Sequence, residues 1–169
     1  AKAAGVRAKV RFRLRPRYEE LTQPSDFFED ATPVRTAAQQ YKPGIPTADL
    51  MRLGPAILSS KELEVTGVMV HLGRHSTDLG VWRGMVRSFV DTLSKLTTAW
   101  GGWEPREIDL GGGFATPRDP TGRATVRGQA RSMDRAPPAE AYAEAMTTTL
   151  RAELARHGLT AAGRVLEIE

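Results

Sequence analysis

The sequence predicts an α/β fold of parallel strands with helices outside them, either a doubly wound sheet or part of an eight-stranded barrel. Three observations carry this expectation. Four short apolar stretches, 6–15, 64–72, 107–110 and 164–169, have strand character and are bounded by glycine, proline or charged residues. Long segments with apolar residues every three or four positions lie between them. The order is strand, loop, short helix, strand, helix, strand, loop, helix, strand, which is the alternation of a parallel sheet.

The first strand, 6–15, has a two-residue period: Val6, Ala8, Val10, Phe12 and Leu14 alternate with Arg7, Lys9, Arg11, Arg13 and Arg15. Five cations on one face cannot pack in an apolar core, so that face meets solvent, acids or an anionic site. Residues 16–46 read as a long irregular loop. A short helix starts near Thr47, and Gly54-Pro55 breaks or restarts it. After strand 64–72, the segment 78–100 carries Trp82, Met85, Val86, Phe89, Val90, Leu93 and Leu96 at helical spacing. Thr77 or Asp78 can cap its start, and Gly101-Gly102 stops it. Strand 107–110 follows, and then 115–138, a second irregular loop expected to be mobile, with Arg118, Arg123, Arg127, Arg131 and Arg135. The last helix, 139–157, shows Tyr142, Ala145, Met146, Leu150 and Leu154 on one face, with Pro137-Pro138 before it and Gly158 after. Strand 164–169 closes the pattern. The spacing between strands, about 40 to 60 residues, exceeds the roughly 30 residues of a typical barrel unit, and the two long loops account for the excess.

Composition narrows the function classes. The chain has 169 residues, 40% of them apolar and 26% charged, which describes a globular domain. With no cysteine, disulfides, thiolate metal sites and cysteine nucleophiles are excluded. No apolar run reaches the roughly 20 residues that span a bilayer, and the basic, alternating N-terminus lacks a signal-peptide core. The expectation is a soluble, cytoplasmic protein with no membrane partner. A net charge of +4 favours an anionic ligand. A nucleic-acid-binding module would need aromatics among the exposed cations; Phe12, the only aromatic of the first strand, falls on the opposite face.

In parallel α/β folds ligands sit at the carboxyl ends of strands. Strand 64–72 delivers His71 there, strand 107–110 delivers Gly111, Gly112 and Gly113, and strand 164–169 delivers Glu169. Three successive glycines lose much backbone freedom on folding. After a strand they mark either a plain sharp turn or a phosphate held by backbone N–H groups.

These stretches resemble the pyridoxal-phosphate-dependent amino-acid decarboxylases built on an alanine-racemase-like barrel, the group of the diaminopimelate, ornithine and arginine decarboxylases. The resemblance lies in Gly67-Val68-Met69-Val70-His71-Leu72-Gly73, Ile108-Asp109-Leu110-Gly111-Gly112-Gly113-Phe114 and Leu166-Glu167-Ile168-Glu169. Tyr41-Lys42-Pro43-Gly44-Ile45-Pro46 is similar to a Lys-Phe-Gly-Ile segment of that family, and Arg13-Leu14-Arg15-Pro16 to an Arg-Val-Asn-Pro strand end. The resemblance implies part of a (β/α)8 TIM-like barrel, incomplete at both ends, which binds pyridoxal 5'-phosphate and acts on a basic or diamino acid substrate. The whole enzyme would be a homodimer.

Carried over, His71 stacks on the pyridine ring, Gly111, Gly112 and Gly113 with Phe114 form the phosphate turn, and Glu169 pairs with the ring nitrogen. The family's serine after the His-x-Gly motif is replaced by Arg74. The phosphate then falls to Arg74 or to Ser76, unless the site is altered or Arg74 is a solvated loop cation. The lysine that holds the cofactor as a Schiff base lies upstream in this family. Lys2, Lys9, Lys42, Lys61 and Lys95 do not fit its motif. The family's second, β domain is not represented either, so the segment alone is expected to be inactive. A racemase on the same barrel and a non-catalytic homologue are the alternatives.

Overall fold

The computed structural model describes residues 2–24, 32–73, 76–115, 124–126, 129–131 and 136–168. Strands β1 (Ala8–Arg15), β2 (Ile45–Pro46), β3 (Leu63–Met69), β4 (Glu107–Asp109) and β7 (Val165–Glu167) form one sheet in the order β2-β1-β3-β4-β7, and every pairing is parallel. Helices α1 (Val34–Tyr41), α2 (Thr47–Leu58), α3 (Leu79–Ala99) and α4 (Ala139–Arg156) are the crossovers. β3, β4 and β7 extend the sheet in turn from one edge of β1, while the short β2 joins its other edge. Helix α3 packs between α2 and α4.

The core fills the space between that helical layer and the sheet. Val68, Val70 and Leu72 from β3 and its extension, and Ile108 and Leu110 from β4, meet Trp82, Met85, Phe89, Leu93 and Leu96 of α3, all essentially without solvent exposure. Tyr142, Met146, Leu150 and Leu154 of α4 complete it, as the helical period of that segment predicts. The predicted cap of α3 is present: Asp78 accepts a hydrogen bond from the Gly80 amide at 2.7 Å.

Three local expectations are corrected. The segment 16–46, read as loop, contains α1, whose Val34, Ala37 and Ala38 are buried on one face. Helix α2 does not break at Gly54-Pro55. Proline removes the N–H that would donate to the Met51 carbonyl, while on the adjacent carbonyl the Trp100 indole, lying against Gly54, donates to Leu50 at 2.9 Å and holds the helix from outside. A Cβ at Gly54 would sit 1.7 Å from Trp100 Nε1, so this position admits only glycine. Within 115–138, Ala124–Val126 (β5) and Gln129–Arg131 (β6) pair as an antiparallel ribbon rather than running irregularly. The positions of Arg118, Arg123, Arg127 and Arg135 lie outside the described residues.

The basic face of β1 meets acids. Arg11 faces Glu107 at 3.8 Å and Asp109 at 3.7 Å and bonds Glu167, which spans from β1 to β7. In register, Arg11 lies opposite Gly67 and Gly67 opposite Glu107. No side chain on β3 stands in the way, so the guanidinium crosses that strand. A Cβ at Gly67 would approach the Glu107 carbonyl oxygen to 2.4 Å.

Candidate functional site at the strand ends

Because all the sheet strands are parallel, their carboxyl ends share one edge. The ladder continues past β3 and β4: the Val70 amide donates to the Asp109 carbonyl at 2.8 Å, and that of Leu110 to the Glu167 carbonyl at 3.0 Å. This fixes His71 beside the glycine turn, although 41 positions separate His71 from Gly112. Gly112 donates its N–H to His71 Nδ1 at 3.3 Å. Gly111 donates to Asp109 Oδ1 at 2.7 Å. Gly111 and Gly113 have φ of 66° and 83°, the left-handed region that glycine enters without strain. A Cβ on Gly111 would lie 2.7 Å from both His71 Nδ1 and the Val70 carbonyl oxygen. The turn can therefore press against the imidazole only because it has no side chain there.

An Nδ1 that accepts a hydrogen bond belongs to a neutral imidazole with its proton on Nε2. The electrostatics agree. Burial, then the charges of Lys42 and Arg13, hold His71 below its ordinary value, while Asp109 acts in the opposite direction. Lys42 approaches from the β2 side: a Cβ on Gly73, whose φ is 60°, would meet Lys42 Nζ at 2.7 Å and His71 Nε2 at 2.9 Å. Arg13 donates to the His71 carbonyl at 3.3 Å. Its Nε is buried with no partner among the described residues. Tyr18 is buried at a φ of 55°; its hydroxyl is raised above its ordinary value by burial, and the Arg13 charge opposes that rise.

The loop after His71 is clamped from behind. The Ser76 carbonyl accepts from Trp82 Nε1 at 3.0 Å and from the Tyr142 hydroxyl at 3.1 Å. The Ser76 hydroxyl accepts from the Asp78 amide at 3.3 Å, and its own proton can still be donated. Phe114, the residue after the glycines, packs its ring 4.7 Å from that of Trp82 and 5.0 Å from that of Tyr142. One aromatic cluster thus anchors both the glycine turn and the Ser76 loop.

The structure brings together His71, Ser76, Gly111, Gly112, Gly113 and Phe114 along one edge. Arg74 and Glu169 lie outside the described residues. Of the three glycine amides, two are used internally, and that of Gly113 has no acceptor among the described residues. Asp109, Arg13 and Lys42 are not among the site residues that the sequence points to. The signal for Asp109 was available: an acid at the inward position of an apolar strand, two residues before a glycine turn. A groove of about 740 Å³ between α2, α3 and the loop after β1 begins at the carboxyl ends of β1 and β2, where Arg15, Tyr18 and Pro46 line it. Its charges are largely paired, Arg87 with Glu20 and Lys95 with Asp91.

This set of groups suits a flat, anionic aromatic cofactor: a neutral imidazole, a glycine cradle that a Cβ would fill, and the cations Lys42 and Arg13 near the same edge. The comparisons point the same way. A family model described as the pyridoxal binding domain of pyridoxal-dependent decarboxylases matches residues 22–160. Among solved structures the chain is similar to diaminopimelate decarboxylase from M. jannaschii, with a TM-score of 0.67 and 20% identity over 99% of this chain and 33% of that one. It is also similar to diaminopimelate decarboxylase from Helicobacter pylori complexed with L-lysine, with a TM-score of 0.61, 15% identity, and 99% and 34% of the two chains covered. Lysine decarboxylase from Selenomonas ruminantium gives a TM-score of 0.55 at 16% identity, with 99% and 34% covered. No curated protein matches in sequence. The chain spans about a third of the length of these solved structures, and the likeness shows its fold as part of their barrel.

Proposed function

Because the chain belongs to the pyridoxal-binding domain family of the pyridoxal-dependent decarboxylases, we propose that it supplies middle-to-late βα units of the cofactor barrel in an amino-acid decarboxylase. The proposed reaction is loss of the α-carboxylate from a basic or diamino acid, of the diaminopimelate decarboxylase type. One observation carries this reading. The Gly112 N–H bond to His71 Nδ1 joins a strand-end histidine, held neutral, to a glycine turn in left-handed conformation. A neutral imidazole can lie flat against a pyridine ring without charge repulsion.

On this proposal His71 covers one face of the ring and excludes water from it. The Gly113 amide, in the Gly111-Gly112-Gly113 turn, receives the phosphate, with either Ser76 or Arg74 in the part of the family's phosphate-binding serine. Phe114 fixes the turn by its ring contacts rather than by touching the cofactor. Lys42 and Arg13 add positive charge to the same edge, and Glu169, following its motif, holds a proton at the ring nitrogen. Pyridoxal 5'-phosphate, when bound, supplies the electron sink for the charge left as carbon dioxide departs. The Schiff-base lysine and the second domain are proposed to lie elsewhere in the full-length protein, which acts as a cytoplasmic homodimer. This segment alone is then inactive.

The test is titration of the full-length protein with pyridoxal 5'-phosphate, followed by carbon dioxide release from diaminopimelate, lysine, ornithine and arginine. A visible absorbance band and carbon dioxide from one of these acids are expected. Absence of the band refutes cofactor binding. A band with α-proton exchange and no carbon dioxide assigns a racemase instead.

A further inference from the structure

Asp109 stands out among the groups for which the proposed reaction has no role. Its residue is 1% exposed, and a buried carboxylate is expensive unless it is paired and hydrogen-bonded. It has both kinds of partner. Oδ1 accepts the Gly111 N–H at 2.7 Å, and Oδ2 faces the Arg11 guanidinium at 3.7 Å. The same residue accepts the Val70 N–H at 2.8 Å through its main-chain carbonyl. Val70 leads directly into His71, and His71 Nδ1 accepts the N–H of Gly112, the neighbour of Gly111.

These contacts form a closed ring: Asp109 carbonyl to Val70, along the chain to His71, across to Gly112, back to Gly111, and across to the Asp109 carboxylate. Each bond fixes a different part of the edge. The carbonyl bond sets the height of His71, the Gly112 bond sets the rotation of its imidazole, and the carboxylate bond sets the Gly111 amide at its left-handed φ. Arg11 sits outside the ring and holds the carboxylate from the inner face of the sheet. It crosses β3 at Gly67, which lies in register between Arg11 and Glu107 and presents no side chain, and from there faces Asp109, two residues beyond Glu107. Glu107 and Glu167 share the Arg11 guanidinium, so its position does not depend on Asp109 alone.

We propose that Asp109 is a positioning residue for phosphate recognition: its carboxylate, braced by Arg11, holds the Gly111–Gly113 turn so that the Gly113 amide is presented to the phosphate of the cofactor. This rests on the reading that the glycine turn is the phosphate site, and it names the groups that set the turn's shape. Asp109 touches neither cofactor nor substrate. It acts through the Gly111 N–H, whose carboxylate bond is of the stronger, charge-assisted kind. Without that acceptor the Gly111 amide is left buried and unsatisfied, and the turn relaxes away from His71.

The experiment compares two ligands on the full-length protein. Dissociation constants for pyridoxal 5'-phosphate and for pyridoxal, which lacks the phosphate, are measured by absorbance titration for the wild type and for Asp109→Ala, Asp109→Asn and Arg11→Gln. For Asp109→Ala, affinity for the phosphorylated form falls about tenfold to a hundredfold, as expected for losing a hydrogen bond to a charged group. Affinity for pyridoxal changes less than about threefold, so the preference for the phosphorylated form collapses. Asp109→Asn retains most of the preference, since the amide oxygen still accepts the Gly111 N–H. Arg11→Gln falls in between, and it keeps the proposal testable if Asp109→Ala does not fold. A purely structural role would weaken both ligands alike, and that result, or an unchanged preference in Asp109→Ala and Arg11→Gln, overturns the proposal. A wild type that binds both ligands equally overturns the phosphate-turn reading itself, which distinguishes the two failures.

Discussion

Replacing Gly111 with alanine separates two costs that the glycine turn avoids. The first is conformational: an alanine at a φ of 66° pays the left-handed penalty of about 1–2 kcal/mol. The second is a collision. The new Cβ would lie 2.7 Å from the Val70 carbonyl oxygen and 2.7 Å from His71 Nδ1. Val70 is backbone in the β3 to β4 ladder and cannot yield without loosening its 2.8 Å bond to Asp109, so the turn must move instead. Moving it breaks the Gly112 to His71 bond, a further loss of about 1 kcal/mol. The expected destabilisation is about 2–3 kcal/mol in total. Gly101→Ala is the matched control: its φ is 67°, but nothing lies within 4 Å of its Cβ, so only the conformational part applies. Denaturant unfolding of both variants in the full-length protein measures the difference from the shift in midpoint at constant slope. Equal losses, within about 0.5 kcal/mol, would refute the collision and with it the close approach of turn and imidazole.

Other outcomes follow from the same geometry. Gly54→Ala drives a Cβ into the Trp100 indole, which must leave Leu50; a loss of about 2–4 kcal/mol is expected in thermal or denaturant unfolding, and a neutral result would contradict the packing of α2 on Trp100. Phe89→Ala empties a fully buried site in α3 and should cost about 3–5 kcal/mol by the same measurement. Trp82→Phe removes the donor to the Ser76 carbonyl, which retains Tyr142, and also leaves a void in the buried core where the fused ring was; a loss of about 2–3 kcal/mol is expected, together with faster hydrogen exchange in the 76–78 loop. His71 resists protonation in the folded state, whereas in the unfolded chain it titrates near its ordinary value of about 6.5. The unfolded state then binds more protons just below that pH, so the contribution of His71 is present above about pH 6.5 and is lost as the pH falls below it. A His71→Gln variant should show a shallower decline between about pH 6.5 and 5 in unfolding midpoints; an unchanged profile would argue against a neutral, Gly112-bonded imidazole.

Much of the scaffold is legible along the chain, because its determinants are local. The Trp82 to Leu96 stripe specifies α3, and the two-residue alternation of 6–15 specifies β1 with its cations on one face. The misreadings are local too. α1 gives a weak local signal because prolines at both sides and a polar composition mask the Val34, Ala37 and Ala38 face. The break expected at Gly54-Pro55 is overridden by a tertiary contact: Trp100, 50 positions from its acceptor Leu50, supports the helix from outside. The antiparallel pair of β5 and β6 carries no strong periodic signal in so few residues.

By itself, then, the sequence determined the alternation of strands and helices, the burial of one face of each, and the placement of His71 and the three glycines at strand ends, since side-chain period and chain direction suffice for these. Only the tertiary structure decided what those groups do to one another. Parallel register sets Gly112 against His71, lets Arg11 cross β3 at Gly67, brings Lys42 to Gly73, and turns Asp109 from a strand residue into the brace of the glycine turn. Register arises from packing the whole sheet against its helices, and no short stretch of sequence contains that information.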